Sequence, residues 1–106
     1  MKVLRENGSV LVENLVIETG FKRFLGLMFR RSIPKDSAIL LSMDGADCIH
    51  SFFVFFKFRA VFLDENFRVV EECVMKPFRI KKVKAKWVLE MNVDKKVERC
   101  EKLIIR

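Results

Sequence analysis

A chain of 106 residues, 51% hydrophobic and 33% charged, has the length and composition of one globular domain and excludes a disordered or low-complexity segment. Lys and Arg number 21 against 14 Asp and Glu, a net charge of +7; the excess suits an anionic partner, though solubility alone is the preferred reading. The longest apolar run, Phe52 to Phe56, is far too short for a membrane span.

The N-terminus, Met1 to Glu6, has no apolar h-region, so no signal peptide is expected. Cys48, Cys73 and Cys100 are odd in number, widely spaced and without a Cys-x-x-Cys pattern. They are expected as free thiols in a reducing compartment, the cytoplasm, with Cys73 and Cys100 buried and inert. The absence of Gln and Tyr beside abundant Lys, Arg and Glu leans toward a thermophilic source.

In chain order, Val3–Arg5 and Val10–Ile17 flank Asn7-Gly8-Ser9, the strongest short hairpin signal because Asn and Gly tolerate positive φ. Thr19 reads as an N-cap, with Phe21, Phe24, Leu25 and Met28 on one helical face. Gly26 inside that helix costs about 1 kcal/mol relative to Ala, which close approach of another backbone would offset. Ser32 to Asp36 is a loop stopped by Pro34, Ala38–Met43 a short buried strand, and Asp44-Gly45-Ala46-Asp47 a turn.

Ile49 to Asp64 is the stretch the fold must be built around. Every even position from Phe52 to Phe62 is apolar, a period of two that means strand. Its sixteen residues would span roughly 50 Å if extended, longer than a domain of this size allows, so a break is expected near Phe55 to Phe58. Asp64-Glu65-Asn66 turns into Phe67–Lys76, an antiparallel partner ended by Pro77. Val83, Ala85, Trp87, Leu89 and Met91 then alternate with Lys82, Lys84, Lys86 and Glu90, with Val88 as the exception, predicting one half-buried strand. Val93, Val97 and Cys100 suggest a short helix over Asp94–Arg99, and Lys102–Arg106 a last strand. The expected fold class is α+β: a mostly antiparallel, curled, barrel-like sheet of about seven strands with two short helices.

Three blocks carry a resemblance: Gly26-Leu27-Met28-Phe29-Arg30; Ile49-His50-Ser51-Phe52-Phe53 running to Val61-Phe62-Leu63-Asp64; and Lys86-Trp87-Val88-Leu89-Glu90-Met91. In order and spacing the chain resembles domain of unknown function 192, a family of small uncharacterised archaeal and bacterial proteins, from about Thr19 to Arg106. The resemblance implies a register and no mechanism. The chain departs from it between the halves of the second block: where the family usually reads Arg-Phe-Pro-Ile-Asp, this chain has Phe55-Phe56-Lys57-Phe58-Arg59.

Four candidate sites follow. Arg23, Gly26 and Arg30 beside His50 suit a carboxylate or phosphate, because guanidinium forks match both; the plainer alternative, which is preferred, pairs the arginines with a nearby carboxylate and with helix-end carbonyls. Asp44, Asp47, Cys48 and His50 have ligand chemistry but no metal spacing, so neither metal nor cofactor is expected. Arg79, Lys81, Lys82, Lys84 and Lys86 form a basic stretch able to track phosphates. It lacks interleaved exposed aromatics, and lysine is the usual guard of an edge strand, so nucleic acid is not favoured. Cys48 and His50 share a face but form no recognisable catalytic set, leaving a hydrolase of unrecognised type as a minority alternative. The expected function is a non-catalytic binding module, without membrane association, for a small anionic ligand or a protein partner, the ligand lying where the Gly26 segment meets His50. Ligand and oligomeric state stay open.

Overall fold

The computed structural model describes residues 1–19, 27–28 and 30–106. Ten strands form three sheets: β1 (Val3–Leu4), β2 (Val10–Val12), β3 (Asn14–Glu18), β4 (Ser37–Ser42), β5 (Cys48–His50), β6 (Phe58–Leu63), β7 (Val69–Met75), β8 (Ile80–Lys82), β9 (Trp87–Asn92) and β10 (Ile104–Ile105). The central sheet runs β3-β4-β9-β6-β7; β10-β1-β2 form a second sheet and β5-β8 a third. Pairing is antiparallel throughout except between β3 and β4, which run parallel.

β4, β9 and β6 are apolar on both faces because both faces are covered. On one side Leu15, Ala38, Leu40, Val61, Leu63, Leu89 and Met91 pack with Val3, Leu11 and Val12 of the small sheet and with Val97 and Leu103. On the other, Ile39, Phe58, Ala60, Phe62 and Val88 pack with Leu27, Ile33, Met43 and Val54. A strand buried on both faces reads as a near-continuous apolar run. Hence every residue of β6, even and odd, is buried.

The turns follow local chemistry. Gly8 takes φ 87° and Gly45 φ 80°, the left-handed region that glycine enters without a Cβ penalty. The Asp64 carboxylate accepts the amides of Asn66 at 2.8 Å and Arg68 at 3.0 Å, closing the β6–β7 hairpin as a side chain that mimics a backbone turn. The expected break in the central ribbon is real: β5 ends at His50, β6 starts at Phe58, and 51–57 turn between them.

Two parts of the expected fold class are overturned. The described residues contain no helix, and none of the sheets closes into a barrel; the chain is all-β over these residues. The central sheet stays open, with β3 and β7 at its two ends and separate cores on its two faces. The helix expected over Asp94–Arg99 is replaced by two turns. Asn92 Oδ1 takes the Asp94 amide and Glu101 Oε1 the Glu98 amide, while the Cys100 amide donates to Val69 and the Leu103 amide to Phe67. So few residues cannot repay helix nucleation when Phe67 and Val69 offer these backbone partners. The helix expected after Thr19, with Phe21, Phe24, Leu25 and Gly26, lies outside the described residues; Leu27 and Met28 form a turn. The strand expected across 82–91 is divided, with 83–86 outside any strand. No helix of the described residues is long and apolar enough to cross a membrane.

Ser51 ties the third sheet to the following loop. It is fully buried; its hydroxyl donates to the Lys76 carbonyl and accepts the Arg79 amide at 2.8 Å. Its own amide donates to the Arg79 carbonyl and its carbonyl accepts the Phe78 amide. Ser51→Ala leaves two part-buried backbone groups without their partner and is expected to cost about 1–3 kcal/mol, read as a lower denaturant midpoint at unchanged slope.

Candidate functional site: an aromatic and basic face on the β5–β8 ribbon

β5 and β8 pair in the register Cys48↔Lys82, Ile49↔Lys81, His50↔Ile80. Cross-strand partners share a face, so Cys48, His50, Ile80 and Lys82 form one face and Ile49 and Lys81 the other. Ile49 packs on the second core. The first face is turned to solvent: all four of its residues are exposed, Ile80 at 60%.

At the His50 end that face continues into phenylalanines. His50 stacks on Phe52 with centroids 5.2 Å apart and planes at 27°. Phe78 then sits among three rings, 6.5 Å from Phe52, 6.3 Å from Phe53 and 6.0 Å from Phe55. All four phenylalanines are exposed, Phe55 by 59%. Phe53 has φ 63° and Phe78 φ 58°, a left-handed backbone that is uncommon for a bulky residue. The period of two over Phe52–Phe62 therefore has two outcomes: its second half is core, and its first residue is surface. The signal for this was the odd face of the same stretch, where Phe53 and Phe55 had no core left to enter.

At the other end the face continues into Lys84 and Lys86. Exposure still alternates through 82–87, with Lys82, Lys84 and Lys86 outside and Val83, Ala85 and Trp87 half-buried. Of the ladder, Lys82 lies on β8, an edge strand because its sheet has two strands; Lys84 and Lys86 lie outside any strand, and β9, which follows, is central, between β4 and β6. Lys81 points away from Lys82 and pairs with Glu71 at 3.7 Å. The Arg79 guanidinium lies against the carbonyls of Pro77 and Phe78.

Of the anion site expected from sequence, Arg23 and Gly26 lie outside the described residues. Arg30 is exposed, its amide donating to Leu27 at 3.2 Å. His50 belongs to the aromatic face, where its Nδ1 accepts the Phe52 amide at 3.2 Å. Asp44 accepts the Ser42 hydroxyl at 2.7 Å, as turn chemistry requires. Among the described residues no three of His, Cys, Asp and Glu gather as a metal would need. Arg59, which stands where the resembled family carries aspartate, is buried and structural. It pairs with Glu72 and donates to the Val93 carbonyl through Nε and Nη2.

Glu90 is the group the sequence misplaced. It was expected outside with the lysines, yet it is 5% exposed, opposite Ile39 of β4 and Ala60 of β6. Val88, the exception in the alternation, was the sign that this face turns inward at β9. Burial, and then the charge of Glu18, push the Glu90 carboxyl up to about 8, so it is protonated at neutral pH. Glu18 Oε2 is itself buried without a hydrogen-bond partner among the described residues.

The folded protein thus holds its proton on Glu90 to a higher pH than the unfolded chain. Glu90 costs nothing below the ordinary value of 4.5, and stability falls as pH rises from there to about 8. The loss is on the order of 5 kcal/mol as an upper figure. Glu90→Gln is expected to flatten stability against pH across that window, measured by denaturant midpoints at intervals of pH.

The thiols are expected to divide by exposure. Cys100 is exposed, contrary to its expected burial, and so is Cys48; Cys73 is half-buried. Burial pushes the Cys73 thiol up, against the opposing charge of Lys81. Native labelling with a thiol reagent should modify Cys48 and Cys100 quickly and Cys73 slowly, because the thiolate is the reactive form.

Comparison with known proteins places this geometry. The chain is 34% identical over 84 residues to UPF0127 protein PH1112 of Pyrococcus horikoshii, covering 71% of this chain and 68% of that protein. Its fold is similar to a crystal structure described as a putative transcription regulator from Sinorhizobium meliloti, with TM-score 0.81 at 16% identity over 97% of this chain and 89% of that one. It is likewise similar to a protein of unknown function from Novosphingobium aromaticivorans, with TM-score 0.79 at 16% identity over 98% and 82%. Identities that low speak for the fold alone. The DUF192 family, described as "Uncharacterized ACR, COG1430", matches residues 2–100, and with a relative at this identity the chain belongs to that family.

Proposed function

We propose that this chain is a non-catalytic binding module for an anionic partner, which docks on the outward face of the β5–β8 ribbon. One observation carries the reading. The two segments that carry the face, 48–57 and 76–86, contain no Asp or Glu, while they hold Lys57, Lys76, Arg79, Lys81, Lys82, Lys84 and Lys86. Lys81 is paired with Glu71. Lys57, Lys76, Lys82, Lys84 and Lys86 make no ion pair among the described residues. Exposed phenylalanines at the centre of such a surface give it an apolar anchor, the arrangement of a recognition patch rather than of a merely solvated face.

Positive charge concentrated on one face gives a local field well above what the net charge alone implies. The test is retention on immobilised heparin with a charge-matched control. Replacing Lys57, Arg79 and Lys82 by Gln is expected to lower the eluting salt concentration clearly. Replacing Lys2, Lys35 and Arg99 by Gln removes the same charge elsewhere and should change it little. Equal shifts for the two triple variants would show that net charge, not this face, governs binding.

A further inference from the structure

We infer that the anionic partner of this face is a single-stranded nucleic acid, laid along the ribbon with its bases on the phenylalanine cluster and its phosphates on Lys82, Lys84 and Lys86. The inference rests on the anion-binding reading and goes beyond it in naming the polymer. Three features of the face select it.

The first is linearity. Ile80, Lys82, Lys84 and Lys86 are the exposed members of an alternation that begins next to Phe78. On β8, Ile80 and Lys82 are two residues apart on an extended strand, about 6–7 Å, close to the phosphate repeat of an extended nucleic-acid strand; Lys84 and Lys86 follow beyond the strand with the same alternation of exposure. Lys82, Lys84 and Lys86 continue the exposed alternation away from the phenylalanines. A chain-like anion follows such a row, with one lysine to each phosphate.

The second is the aromatic composition. Nucleic-acid bases stack on side-chain rings whatever their sequence, because each base presents a π-face. Phe53, Phe55 and Phe78 each expose about half of their surface or more, at 48%, 59% and 49%. His50 already stacks on Phe52 with planes at 27°, the geometry a base would adopt on a neighbouring ring. The rings stand beside the cations, with Arg79 adjacent to Phe78 in the chain. Exposed aromatics interleaved with basic residues were the element the linear sequence lacked, since Trp87 turns inward; the phenylalanines of the 51–57 turn supply it from the other strand of the ribbon.

The third is the open form of the face. Cys48, His50, Ile80 and Lys82 lie on one side of a two-stranded antiparallel ribbon, and the described residues leave that side uncovered. Duplex DNA keeps its bases stacked inside and meets a phenylalanine only where a step is kinked open; unpaired bases splayed on a sheet face stack on the rings directly.

The experiment is fluorescence anisotropy with a labelled oligothymidylate of about twelve nucleotides, within the site sizes of single-strand binders. The unlabelled duplex of equal length and phosphatidylglycerol vesicles serve as competitors. The intact chain is expected to bind the single strand at least tenfold more tightly than the duplex. Phe55→Ser should weaken binding about tenfold, the stacking of one base, with the thermal melt unchanged. Replacing Lys82, Lys84 and Lys86 by Gln should reduce the salt slope by about 2, at about 0.7 per phosphate. Equal affinity for duplex and single strand, insensitive to Phe55→Ser, overturns the nucleic-acid inference and leaves the anionic face standing. Vesicle binding without oligonucleotide binding overturns it in favour of a membrane. Loss of heparin and oligonucleotide binding together overturns both readings.

Discussion

The constraint on which this fold depends is burial of one sheet on both of its faces. β4, β9 and β6 form the middle of the five-stranded sheet, and each sends side chains into two separate cores. Leu89 and Met91 enter one core while Val88 enters the other; Val61 and Leu63 likewise oppose Ala60 and Phe62. Each buried aliphatic or aromatic side chain is worth about 1.5–3 kcal/mol relative to exposure, so the chain gains most where both faces of a strand are covered. The small β10-β1-β2 sheet supplies one cover. Leu27, Ile33, Met43 and Val54 contribute to the other.

The exposed aromatic and basic face follows from that constraint. A strand that is central over six residues cannot continue straight, because the domain, 35 Å along its longest axis, ends before a sixteen-residue ribbon would. The chain leaves the sheet at both places where it must, before Phe58 and before Trp87. The segments left outside, β5 with its following turn and β8 with 83–86, pair with each other. Ser51 holds them together through hydrogen bonds to Lys76 and Arg79. Phenylalanines that the core had no room for stay on this outer ribbon, beside Lys82, Lys84 and Lys86, which make no ion pair among the described residues.

The two buried ionisable groups show how differently burial can be handled. Arg59 keeps its charge by pairing with Glu72 and donating to the Val93 carbonyl, since a buried guanidinium cannot shed its proton. Glu90 instead gives up its charge, because a carboxyl can be protonated for less than the cost of an isolated buried anion. Glu18 nearby makes ionising Glu90 harder still.

Sequence alone determined the local elements and the family register. The Asn7-Gly8 hairpin, the β6–β7 hairpin at Asp64, the buried strand β4 and the break near Phe55 each rest on signals confined to a few residues: positive φ, a capping carboxylate, periodicity, the reach of an extended chain. Tertiary structure decided whatever depended on which face found a cover. Val93, Val97 and Cys100 have helical spacing, but backbone partners at Phe67 and Val69 outbid a helix of so few residues. Val88 and Glu90 alternate with Leu89 and look outward until a second core closes over them. Phe52 reads as core from the period of two, yet it is surface like its neighbours Phe53 and Phe55, because burial is a property of the volume available, which the order of residues along a strand does not specify.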